Sequence, residues 1–65
     1  MKFKVGDKVH PLRMIPVSNK QMMFESESGT VISISICEDG NYMLTVKRNR
    51  DGVIFKGKEY LWEHC

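Results

Sequence analysis

No stretch of this chain approaches the roughly 20 consecutive apolar residues that a membrane-spanning helix needs. Residues 1 to 8 hold no apolar run of signal-peptide length either. The expectation is a cytosolic protein with no membrane attachment. Cysteine is scarce: Cys37 and Cys65 are the only two, whereas small secreted domains generally carry four or more. Reduced thiols are expected. Together with His10 and His64 they are the only soft metal ligands. Of these only His64 and Cys65 are close, and adjacent residues on a strand point to opposite faces, while zinc ligands usually come in pairs two to four residues apart. No metal and no cofactor is expected. Missing too are a glycine-rich phosphate loop, Gly-x-Ser-x-Gly and His-Glu-x-x-His. A 65-residue chain also has little room to bury a substrate away from water, so no catalysis is expected.

Charge of neither sign is in large excess. Ten Lys and Arg against eight Asp and Glu leave a formal net charge of +2, short of the imbalance that would by itself mark a nucleic-acid footprint. An apolar fraction of 42% and a charged fraction of 28% are those of a folded globular chain rather than a disordered one. Its length allows one domain, which buries only about 60% of the unfolded surface and is modestly stable.

What the chain does have is alternation. Ile32, Ile34 and Ile36 alternate with Ser33 and Ser35, and Tyr42, Leu44 and Val46 alternate with Met43, Thr45 and Lys47. This is the period of two of half-buried strands. Between them Asp39-Gly40 tolerates the positive φ of a tight turn, so residues 29 to 48 read as a hairpin whose isoleucine and tyrosine ladders both face a core. Earlier, Phe3, Val5 and Val9 suggest a first strand kinked at Gly6 and ended by Pro11, which cannot donate to a ladder. From residue 13 to 28 periodicity fails, and the segment reads as a long loop. Later, Asp51-Gly52 marks a second turn, residues 53 to 56 a further strand, and Gly57-Lys58 a break. Residues 59 to 63 are short enough to be one helical turn leading into a last strand, and pattern alone does not separate the two. No apolar set recurs at helical spacing over a helical length. The predicted fold is all-β: a small, five-stranded, strongly bent antiparallel barrel with a long loop between strands 1 and 2, closed because closure hides its edges.

Four short motifs, Val5-Gly6-Asp7-Lys8-Val9, Gly29-Thr30-Val31 with Ile34 three residues on, Tyr42-x-Leu44-x-Val46 and Glu59-Tyr60-Leu61, resemble the SH3-like small barrels of the KOW and Tudor type over nearly the whole chain. The chain departs from that pattern in its longer first loop, in methionines where a glycine-rich loop is usual, and in lacking an evident aromatic cage. Recognition of methylated lysine or arginine is therefore not implied.

Two surfaces are candidates for function. Met14, Ile15, Val17, Met22, Met23 and Phe24 give the long loop an apolar character, and methionine adapts readily to a partner. The resemblance implies that this loop and the last turn line a protein-binding groove completed by Tyr60 and Trp62, residue types common at interfaces. The leading expectation is thus a non-catalytic module, monomeric or weakly dimeric, that binds a protein as adapter, regulator or inhibitor of something larger. The same residues would equally serve to cap the core, with Trp62 inside it, and the two readings are not exclusive. The alternative is a nucleic-acid-binding rim of Lys47, Arg48, Arg50, Lys56 and Lys58 with Tyr42, cations meeting phosphates and a ring stacking on a base. Against it, Glu38, Asp39, Asp51, Glu59 and Glu63 make a solvated mixed-charge face from the same region.

Overall fold

Strands account for nearly all of the regular structure. The computed structural model describes residues 2 to 18 and 21 to 65, with the backbone alone at 15 to 18 and 21. In chain order the elements are β1 (Lys8–Pro11), β2 (Ile15–Ser18), β3 (Gln21–Met23), β4 (Gly29–Ile36), β5 (Tyr42–Arg48), β6 (Ile54–Lys58), a 3-10 turn (Glu59–Leu61) and β7 (Trp62–His64). Five strands form one antiparallel sheet in the order β6, β5, β4, β1, β7, and β2 pairs with β3 separately. The class is all-β, with the five expected strands, a single helical turn leading into the last one, and an insertion between the first and second.

Four local expectations are corrected. The break expected at Gly57-Lys58 is absent, since both residues pair with β5 and belong to β6. Residues 13 to 28 are not a structureless loop: Ile15 pairs with Met23 and Pro16 with Met22 in a short irregular hairpin. Pro16 and the brevity of the strands hide its alternation in the sequence. The first strand is shorter than the Phe3, Val5, Val9 pattern suggests, because the chain turns at Gly6 (φ 99°). The Asp7 N–H donates to Lys4 O at 3.0 Å, and the Asp7 carboxylate accepts from the Lys4 N–H at 2.9 Å. Phe3 is buried on the near side of that turn while Val5 is exposed.

The isoleucine ladder, finally, does not face the core as a unit. The register of β4 on β5 shifts between Val31 and Ser33, and one extra residue in a strand turns the residues beyond it to the other face. Val31 and Ile34 therefore both pack inward, whereas Ile32 is turned out and Ile36, at the far end of the strand, is 67% exposed. The ladder on β5 behaves as expected at Leu44 and Val46, which are buried, with Tyr42 half-buried at its end.

The core is Phe3, Val9, Met23, Val31, Leu44, Val46, Phe55 and Trp62, with Ile34, Val53 and Leu61 packed against it. Trp62 links the two edges of the sheet: it begins β7, and its indole Nε1–H donates to the Gly57 carbonyl of β6 at 3.2 Å. A Cβ on Gly57 would sit 3.0 Å from that nitrogen, so the close approach depends on glycine. Gly29 is tighter still. A Cβ there would lie 2.5 Å from Val46 Cγ1 and 2.9 Å from the Lys47 carbonyl, and the backbone of β5 cannot yield without disturbing the ladder. Gly29→Ala is expected to destabilise the domain by about 1 to 3 kcal/mol, read as a lower urea midpoint. An unchanged midpoint would contradict this contact.

Candidate functional site

The inserted segment is fastened at both ends. At its start the Leu12 N–H donates to Leu61 O of the 3-10 turn at 2.8 Å, and β2 lies against β6. At its return a tight turn forms at 24 to 27, where Glu27 N–H donates to Phe24 O and Phe24 N–H to Glu27 Oε1, both at 2.9 Å. Arg48 completes the anchorage. Its Nη1 donates to Met22 O at 2.9 Å and reaches Glu27 Oε1 at 3.3 Å, while Nε and Nη2 donate to the two Asp51 oxygens at 2.9 and 2.7 Å. Its guanidinium carbon lies 4.9 Å from the Phe55 ring centroid.

Strand alternation through this hairpin sorts the apolar side chains. Met23 is fully buried in the core, while Met22 and Phe24 on either side of it are exposed. Met14 and Tyr60 are exposed as well. Trp62 is wholly inside. Met23 and Trp62 thus close the core and offer no surface to a partner. Ile15 and Val17 lie on β2, and their side chains fall outside the described residues. Leu12, 47% exposed, belongs with the exposed set although it precedes by one residue the stretch where periodicity fails. An apolar residue directly after a strand-ending proline was the available signal.

The basic residues do not form one rim. Register and alternation put Lys47, Lys56 and Lys58 on the outward side of β5 and β6. Arg48 points inward and is 2% exposed. Arg50 sits in the following turn with its Nη1 2.9 Å from Glu27 Oε2, and Tyr42 is at the opposite end of β5 from Arg48. Two open clefts flank Asn49. One, of about 410 Å³, is lined by Ser26, Glu27, Ser28, Arg48, Asn49 and Arg50. The other, of about 350 Å³, is lined by Thr30, Ile32, Lys47, Arg48, Asn49 and Gly52.

Three carboxylates are held below their ordinary range by hydrogen-bonded partners. The Arg48 guanidinium brings Asp51 down to about 2, Lys58 brings Asp39 down to about 2, and His64, with its Nε2 2.8 Å from Oδ2, lowers Asp7. Cys37 and Cys65 are free thiols. Among the described residues no group of three His, Cys, Asp or Glu side chains is placed to hold a metal ion, and no helix is long and apolar enough to cross a membrane. Comparison with family models, with curated proteins and with solved structures returns no match.

Because Asp39 and Asp51 stay ionised in the fold at pH values where the unfolded chain takes up protons, their contribution is complete above the usual carboxylate pKa of 3.8 and is lost as pH falls through about 2. Thermal melts are expected to show a Tm that drops below about pH 4, and Asp51→Asn should flatten the drop. Parallel decline of the two proteins would contradict the role given to the Arg48 and Asp51 pair.

Proposed function

We propose that this protein is a non-catalytic binding module that holds a protein partner on Leu12, Met14, Met22, Phe24 and Tyr60. One observation carries the reading. After Met23 and Trp62 have gone into the core, these five large side chains remain 41% to 58% exposed on the inserted segment and on the 3-10 turn joined to it. Single exposed apolar residues are ordinary; here they concentrate on the element that the sheet does not need. The five-stranded antiparallel sheet and the insertion between its first two strands are compatible with a small barrel-like fold, and in SH3-like domains the corresponding loop and last turn commonly line a protein-binding groove. Methionines at Met14 and Met22 suit an adaptable contact. An adapter, regulator or inhibitor of a larger protein fits a domain that gathers five exposed apolar side chains on one inserted segment and the turn joined to it.

The test separates surface from core. Met22→Asp with Phe24→Asp is expected to keep the melting temperature, since surface changes fall within about 0.5 kcal/mol, and to lose the partner that the wild-type protein captures from nuclease-treated lysate. Met23→Asp should unfold the domain, because an unpaired buried carboxylate costs several kcal/mol against a total stability of roughly 3 to 10 kcal/mol for this length. Capture that survives the double change, or that disappears on nuclease treatment of the wild type, would overturn the reading.

A further inference from the structure

Register carries a second surface, independent of the first. Lys8 pairs with Thr30, Thr30 with Lys47, and Lys47 with Ile54, so one row across four strands reads Lys8, Thr30, Lys47, Ile54. The chain neighbours Val9, Val31, Val46 and Phe55 are all fully buried, which turns the row outward. Lys56 and Lys58 alternate on β6 with Phe55 and the buried Gly57 and join the same face. The other outward positions paired across β4, β5 and β6 are Ser33 with Thr45 and Ser35 with Met43. No paired outward position on these three strands is a carboxylate. Asp39 reaches the face from the turn after β4 and ion-pairs with Lys58. Glu63 pairs with His10 from β7, the strand beside β1, and is an acid on the Lys8 side of the row. Lys8, Lys47 and Lys56 are exposed and form no ion pair among the described residues.

We propose that this outer face binds the phosphate backbone of a single-stranded nucleic acid, with Lys8, Lys47 and Lys56 meeting phosphates and the cleft beside Lys47 receiving one nucleotide. Two strand spacings separate Lys8 from Lys47, roughly 10 Å, with the uncharged Thr30 between them. The cleft of about 350 Å³ is lined by Thr30, Ile32, Lys47, Arg48, Asn49 and Gly52 and contains no acid. Exposed Ile32 and Ile54 supply apolar surface for a sugar or base, and the hydroxyls of Ser33 and Thr45 are donors suited to phosphate oxygens, whereas the Thr30 hydroxyl already donates to Asn49 Oδ1. The face carries no aromatic ring, so binding follows the backbone and is indifferent to sequence. Tyr42 takes no part, being on the inward side of β5, and Arg48 contributes to the wall of the cleft while its guanidinium is engaged inward with Asp51, Glu27 and the Met22 carbonyl.

Fluorescence anisotropy with a labelled mixed-sequence oligonucleotide tests this. Three or four lysine contacts predict a slope of log affinity on log salt of about −2 to −3 for a single strand. Affinity should therefore fall roughly 100- to 1,000-fold between about 20 and 200 mM salt. Lys47→Glu with Lys56→Glu is expected to lose at least about tenfold at low salt with an unchanged melting temperature. Lys47→Arg with Lys56→Arg should retain binding, as should Met22→Asp with Phe24→Asp. Absence of binding at low salt, a flat salt response, undiminished binding by the double glutamate variant, or a duplex bound as tightly as the single strand would each overturn the proposal.

Discussion

A buried guanidinium with no partners is among the least tolerable groups in a protein interior, and Arg48 sets the terms on which this small domain folds. It lies in phase with Leu44 and Val46 on the inward side of β5, over the Phe55 ring. Its position demands carboxylates and a carbonyl from other segments, and three supply them: Asp51 from the turn after β5, Glu27 from the return of the insertion, and the Met22 backbone from β3. Segments distant in sequence are thereby fixed to one end of one strand. Hydrophobic burial alone would leave the inserted hairpin free to slide, since apolar contact has no direction. The bidentate Asp51 pair and the bond to Met22 O have direction, and they determine that Met23 goes in while Met22 and Phe24 come out.

The second constraint is at the opposite edge. A five-stranded open sheet exposes two unpaired edges, and here the edge strands are successive in the chain, joined by one 3-10 turn and tied by the Trp62 to Gly57 bond. Bending of this kind requires a strand residue without a side chain where the indole enters, which Gly57 provides, and a local break in alternation where the long strand curves. The shift between Val31 and Ser33 provides the latter. It also explains why Ile32 lies outside although two other isoleucines come after it at the expected spacing.

How much of this the sequence discloses depends on whether the information is local. The strand at 42 to 48, the first part of the strand at 54 to 58 and both turns are legible because period two and glycines at positive φ, Gly40 and Gly52, are properties of neighbouring residues; residues 59 to 63 are too short for pattern to divide between turn and strand. The bulge is not legible: Ile-Ser-Ile-Ser-Ile reads as one uninterrupted face, and only pairing with β5 reveals the slip. Nor is the hairpin of β2 and β3, whose proline and three- to four-residue strands fall below the length at which alternation is distinctive. Arg48 illustrates the hardest case. Arginine on a strand among lysines reads as solvent-exposed, and the clue that it is not, an aspartate three residues on in a tight turn, acquires meaning only with Glu27 brought from 21 residues away. For the same reason the candidate surfaces divide: sequence proximity groups Met22 with Met23 and Lys47 with Arg48, and strand alternation separates each pair.

Alternation also determines what the apolar surface can offer. Its anchors sit at both ends of the insertion, Leu12 to Leu61 at the base and Arg48 to Met22 at the return, so Leu12 and Met22 stand on backbone that is hydrogen-bonded to the sheet and its last turn. Binding through a disordered loop must first meet the entropy of fixing it, whereas a segment held in place loses only side-chain freedom on contact. The return of the insertion is fastened by the buried Arg48 and Glu27 pair, and strand alternation counted from that anchor places Met23 in the core and turns Met22 and Phe24 outward.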